Sequence, residues 1–176
     1  MSDGAPVVAI CPGTYDPVTN GHLDIIRRAA AIFDRVVVGV VRDPPHKSPL
    51  FTVDERVAFL RDALEATGNV EVEEFAELVV EFARKWGART MVKGLRAISD
   101  FEWEFQMHHL NRTLAPEIET MYLIADSHYS FVSSSSVKEI ASFGGNVDSL
   151  VPVAVAARFQ ELYRTPRPGA PVSPQE

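Results

Sequence analysis

Apolar residues gather in five short runs along the chain, at 7–11, 36–41, 70–74, 90–93 and 120–125. Their length and their valine and isoleucine content predict strands. The first two are almost continuous, as expected where helices cover both faces of a parallel sheet. Between the runs, hydrophobic residues recur at helical spacing. Ser or Thr three residues ahead of Glu, or of Glu in a Ser-Asp-Phe-Glu run, marks three helix starts, at Thr52, Ser99 and Ser136. A last helix is predicted over 153–163. Strand and helix thus alternate, and the pattern predicts one doubly wound α/β domain over residues 1–164 with a five-stranded parallel sheet. Residues 165–176 contain four prolines and few large apolar side chains, which predicts a disordered tail.

Composition narrows the class. The chain has 176 residues, 46% hydrophobic and 23% charged, as in an ordinary globular protein with a sizeable core. No apolar run approaches the ~18 residues needed to cross a bilayer, and the start MSDGAP lacks signal-peptide features, which predicts a cytoplasmic protein without a membrane partner. The single cysteine, Cys11, leaves no internal disulfide and no multi-cysteine zinc site. A net charge of -7 speaks against broad nucleic-acid binding while leaving room for a local cationic pocket.

Open parallel sheets bind ligands at the carboxyl ends of their strands, so the five strand-to-helix loops are where chemistry is expected. The first carries neither a GxGxxG nor a GxxxxGK[ST] pattern, but Gly13-Thr14 offers amides and a hydroxyl, and His22 stands at the helix start. His22 shares a helical face with Ile26, Ala29 and Phe33, so its imidazole is either packed inside or placed where the helix end favours an anion. The second loop holds Arg42, His46 and Lys47 among prolines, as a solvated basic loop or a presented cation. In the fourth, Lys93 and Arg96 flank Gly94-Leu95, a point charge and a fork suited to phosphate oxygens, or to a surface ion pair. The next helix has two apolar stripes: Phe101 with Phe105, and Trp103, Met107, Leu110 and Leu114 nearly opposite. Such a helix is deeply buried or shared between subunits. Glu104, on the first stripe, suits a ligand hydroxyl or amine, or a neighbouring cation. The fifth loop ends in four serines before a helix, a polar turn or an anion site.

In order along the chain, PGTYDPVTNGH, FTVDERV, VKGLRAISDFEWE and YSFVSSS resemble the bacterial phosphopantetheine adenylyltransferases, within the nucleotidyltransferases carrying a TxGH motif. The resemblance covers about residues 7–163. It implies a Rossmann-like fold and transfer of the adenylyl group of ATP to 4'-phosphopantetheine, giving dephospho-coenzyme A and pyrophosphate. It also implies Mg2+ held through substrate phosphates rather than protein side chains, a homohexamer, and coenzyme A as a feedback ligand. By motif, His22 corresponds to the transition-state stabiliser, and Thr14, Lys47, Val79 and Lys93 to acceptor-binding residues. Thr14, Tyr15, His22, Gly94, Leu95, Arg96 and Glu104 correspond to ATP-binding positions, as do Tyr129, Ser130, Phe131, Val132, Ser133, Ser134 and Ser135. Lys93 stands where many relatives have Arg, Tyr15 where Phe is common, and the second loop is one residue longer than in some, with His46 as the alternative to Lys47. Rival readings are another small-substrate cytidylyl- or adenylyltransferase and a noncatalytic nucleotide sensor on the same fold.

Overall fold

A computed structural model describes residues 5–164, with Ser99 and Arg164 described by main chain alone. The tail predicted over 165–176 lies outside the described residues. The elements run β1 (Val8–Gly13), α1 (Asn20–Ala30), β2 (Arg35–Val41), α2 (Val53–Leu64), β3 (Val70–Phe75), α3 (Val79–Lys85), β4 (Thr90–Leu95), α4 (Ile98–Leu114), β5 (Glu119–Ile124), α5 (Ser134–Ser142) and α6 (Val153–Arg164). Each predicted strand is present within two residues of its expected ends.

The sheet is parallel throughout, in the order β3-β2-β1-β4-β5. The chain therefore reverses its direction of winding between β3 and β4, and the switch point falls between β1 and β4. That is where an open α/β sheet makes its binding crevice. The register sharpens it. β1 pairs with β2 along all six residues, from Val8 with Arg35 to Gly13 with Val40. With β4 it pairs only through Ala9 with Thr90 and Ile10 with Met91. Beyond Ile10 the ladder between β1 and β4 ends, so the two strands part towards their carboxyl ends.

Side chains alternate across the sheet and feed two cores. Ala9, Cys11, Val36, Val38, Val40 and Val92 pack against α1, α2, α5 and α6. Ile10, Val37 and Met91 face the other way, with Val80, Phe82 and Ala83 of α3 and with Ala115 and Ile118. Burial of this kind contributes about 25 cal/mol per Å2 of apolar surface and fixes which face each strand residue takes.

Two helix starts differ from the sequence expectation. α4 begins at Ile98, with Ala97 as N-cap and no side-chain cap, so Ser99 does not open the helix. Asp100 reaches back instead and accepts from the Arg96 amide at 3.1 Å. α5 begins at Ser134, capped by Ser133, whose Oγ accepts from the Ser136 amide at 3.0 Å. Ser136 is thus inside the helix, because Ser133 satisfies the same end three residues earlier. Thr52 caps α2 as expected, in a reciprocal pair with Glu55. α4 is not the buried helix that two apolar stripes allowed: Phe101, Trp103, Phe105, Leu110 and Leu114 are all exposed. Among the described residues no helix is long and apolar enough to cross a membrane.

Candidate active site

The loop after β1 is held from all sides. Tyr15 takes a positive φ of 51°, its ring is buried, and its hydroxyl donates to the Cys11 carbonyl at 2.9 Å. A bulky residue in that backbone region is a genuine outlier and persists only where its surroundings fix it. Asp16, 5% exposed, precedes Pro17 across a cis peptide bond. Its carboxylate accepts from the Leu50 amide at 3.0 Å and the Phe51 amide at 2.9 Å, and pairs with Lys138 of α5. One buried side chain thus joins three segments at the carboxyl edge.

Thr19 caps α1, and the residue that closes the capping box is His22. The His22 amide donates to Thr19 Oγ1 at 3.3 Å, and the Thr19 amide donates to His22 Nδ1 at 3.0 Å. Because Nδ1 accepts, the neutral ring carries its proton on Nε2. Burial, together with the positive charges of Arg96 and Lys47, pulls the His22 pKa from 6.5 down to about 4. At neutral pH the ring is an uncharged donor at a helix N-terminus. The Tyr15 ring stands edge-on to it, 5.2 Å between centroids, and fixes its tilt.

The other strand-end loops come to the same place. Arg96 follows β4, forks onto Asp100 at 3.0 and 3.1 Å, and donates to the Val132 carbonyl at 2.9 Å. Ser134 Oγ donates to the Pro17 carbonyl at 2.8 Å, tying the start of α5 to the first loop. Close approach explains two glycines. A Cβ at Gly94 would stand 2.9 Å from the Ile25 side chain of α1, and one at Gly21 would stand 3.1 Å from Tyr129. Lys93 lies within the crevice, near enough to Cys11 to act on its buried thiol, and pairs with Glu104 at 3.3 Å. Burial nevertheless raises that thiol to about 12, so it is inert at neutral pH.

Contacts and electrostatics therefore bring together Thr14, Tyr15, His22, Lys47, Lys93, Gly94, Leu95, Arg96, Glu104, Tyr129, Val132 and Ser134. Val132 and Leu95 are buried, so main chain is what they present. Ser133 is spent on its cap, whereas Ser135 is exposed at the helix start. Ser130 Oγ donates to Ser127, and Phe131 is exposed at the rim. Val79 stands apart at the start of α3, packed on the Ile10 and Phe82 core beyond β3. Lys47 makes no ion pair among the described residues.

Three residues central to this arrangement escaped sequence reasoning: Asp16, Arg56 and Lys138. Arg56 is 1% exposed and donates to four main-chain carbonyls, of Phe51, Thr14, Val41 and Arg42. A signal for it existed, because position 56 lies on the same face of α2 as Val53 and Leu60. A charge on an apolar stripe points to a buried anchor.

A cytidylyltransferase-like family model matches residues 10–140, which span β1 through most of α5. The phosphopantetheine adenylyltransferase of Heliobacterium modesticaldum is 54% identical over 166 residues, covering 94% of this chain and 98% of that protein. Those of Alkaliphilus metalliredigens and Desulforudis audaxviator are each 51% identical, covering 84% and 89% of this chain and 94% and 95% of theirs. About half of the matched positions agree over 84% to 94% of the chain, and the chain belongs to the phosphopantetheine adenylyltransferase family.

Proposed function

We infer that the chain transfers the adenylyl group of ATP to the phosphate of 4'-phosphopantetheine, forming 3'-dephospho-coenzyme A and pyrophosphate, a step of coenzyme A biosynthesis. The observation that carries this reading is His22: a neutral imidazole whose Nδ1 is occupied by the Thr19 amide, leaving Nε2-H to donate beside Arg96 and Lys47. The attacking group is a phosphate monoester with a second pKa of ~6, already ionised at neutral pH, so no strong general base is required. The enzyme's task is to bring two polyanions into line and to stabilise charge on the α-phosphate and the leaving pyrophosphate. His22 Nε2-H donates to the α-phosphate oxygens as that charge grows. Thr14, Lys47, Val79 and Lys93 take the acceptor. Tyr15, Gly94, Leu95, Arg96, Glu104 and the 129–135 segment take ATP.

Lys93 must leave Glu104 or share it to reach a phosphate, and as a point charge it does so without the fork of an arginine. Among the described residues no three His, Cys, Asp or Glu side chains form a metal cage. Asp16, the buried carboxylate beside the cradle, is already held by two amides and Lys138. These cations and N-H donors fit Mg2+ carried by the phosphates of ATP, where the ion would screen their charge.

The exposed apolar side chains of α4 support a homohexamer in which other copies cover Trp103, Phe105, Leu110 and Leu114. Coenzyme A contains the pantetheine arm of the acceptor, which supports it as a feedback ligand of the same crevice. A cytoplasmic location suits the one buried, reduced cysteine. The decisive assay is pyrophosphate release from ATP with 4'-phosphopantetheine, and none with nicotinamide mononucleotide or glycerol 3-phosphate. Release with another acceptor instead reassigns the substrate, and the absence of release with any acceptor turns the reading to a nucleotide sensor.

A further inference from the structure

Arg56 is the largest fully buried side chain among the described residues. Among the described residues its guanidinium is bonded to no carboxylate. Nε donates to the Phe51 carbonyl at 3.2 Å, Nη1 to Thr14 at 2.9 Å and Val41 at 2.8 Å, and Nη2 to Arg42 at 2.9 Å. Burial works against its charge, and only the more distant Asp16, Asp43 and Glu74 oppose that. A buried cation spent wholly on main chain is a costly way to build a core, since an apolar side chain of the same volume is commonly as stable. Its four carbonyls belong to the ends of β1 and β2 and to the approach to α2. What they share is the geometry of the two loops that carry Thr14, Tyr15 and Lys47.

The bond to Thr14 has a specific consequence. The Thr14-Tyr15 peptide is trans, because the cis bond lies at Asp16-Pro17. In a trans peptide the carbonyl and the following amide point in opposite directions. Arg56 holds the carbonyl from the β2 side of β1, so the Tyr15 amide is turned towards β4 and the crevice. Among the described residues neither the Thr14 nor the Tyr15 amide has an acceptor. The positive φ of Tyr15 maintains this orientation only while the peptide before it is clamped.

We propose that Arg56 is a positioning residue for adenylyl transfer: by holding the Thr14 carbonyl it aims the Tyr15 amide at the phosphates of bound nucleotide. The proposal rests on the adenylyltransferase reading above, and wild-type turnover with ATP and 4'-phosphopantetheine tests that reading separately. The variant is Arg56→Lys, which keeps the charge but cannot span four carbonyls. Measured on the full chain at a temperature where thermal unfolding shows it folded, its kcat should fall roughly ten- to a hundredfold, as for loss of one oriented donor. KM for both substrates should change less than about threefold. Hydrogen exchange at the Tyr15 amide, read by mass spectrometry, should slow when ATP and Mg2+ are added to wild type and not when they are added to Arg56→Lys. If the lysine variant does not fold, Arg56→Gln takes the same measurements. A folded variant with wild-type kcat, or a wild-type Tyr15 amide that exchanges equally fast with and without ATP, overturns the proposal.

Discussion

The loops after β1 and β2 meet at one crevice yet are built in opposite ways. In the first, positions 15 to 19 are all buried, and Tyr15, Asp16 and Thr19 are each hydrogen-bonded into their surroundings. In the second, Arg42, Asp43, Pro45, His46, Lys47 and Ser48 are exposed. Its two ends are held, by Arg56 on the Arg42 and Phe51 carbonyls and by Asp16 on the Leu50 and Phe51 amides, but between them the backbone bond among the described residues is the Lys47 amide to the Pro44 carbonyl. Groups that act on the transition state gain from being fixed before substrate arrives, because no reorganisation remains at the moment of reaction. A cation that captures a mobile phosphate can be brought in with it. The difference therefore assigns transition-state work to the first loop and capture to the second.

Removing the first loop's donor should have the largest effect. His22→Ala is expected to lower kcat on the order of a hundred- to a thousandfold, with KM for ATP changed far less, since an interaction made in the transition state shows in kcat. The wild-type rate should also show no titration of His22 between pH 6 and 8, because its pKa of about 4 keeps the ring neutral throughout. Stability has the opposite sign from that of a charged, paired histidine. Between 6.5 and about 4 the unfolded ring binds a proton and the folded ring does not, so this contribution is present above 6.5 and lost as pH falls towards 4. Steady-state kinetics and urea unfolding across that range check both points.

Asp16→Ala comes next, because it cuts the link between the loops. It strands the Lys138 ammonium and frees the Leu50 and Phe51 amides. A loss of about 3 kcal/mol of stability is expected, as for breaking a buried ion pair from one side. The urea midpoint should fall, and KM for phosphopantetheine should rise as the second loop loosens. Unchanged acceptor KM would show that Lys47 is placed without help from the first loop.

The smallest effect belongs to the second loop itself. Lys47→Ala should raise KM for phosphopantetheine about tenfold, the value of one partly screened charge-assisted contact, and leave stability unchanged. His46→Ala should change neither KM nor stability. The reverse result would move the acceptor cation by one residue, because the two share a loop and neither makes an ion pair among the described residues.

Much of this was legible in the primary structure. The five strands and the parallel sheet follow from apolar runs separated by helical periodicity, and His22 on the face of Ile26 and Ala29 was marked by its spacing alone. Where local signals competed they misled. Ser99 and Ser136 both fit a capping pattern, but α4 starts at Ile98 without a side-chain cap, and Ser133 satisfies the start of α5 three residues before Ser136. The two stripes of α4 were also visible, although spacing could not say that this chain leaves them exposed.

The sequence by itself determined the alternation of elements, the residue types at each strand end and the family they compose, because these depend on periodicity and on short motifs whose members are close in the chain. Only the tertiary structure decided the chemistry of those residues. His22 is neutral because burial, Arg96 and Lys47 act on it across three loops, and its donor nitrogen is Nε2 because Thr19 folds back onto Nδ1. Asp16 and Arg56 became organising centres through partners 34 to 42 residues away, at Leu50 and Thr14. The physical reason is that protonation, burial and hydrogen-bond direction are properties of a residue's surroundings in space, which a linear pattern does not contain.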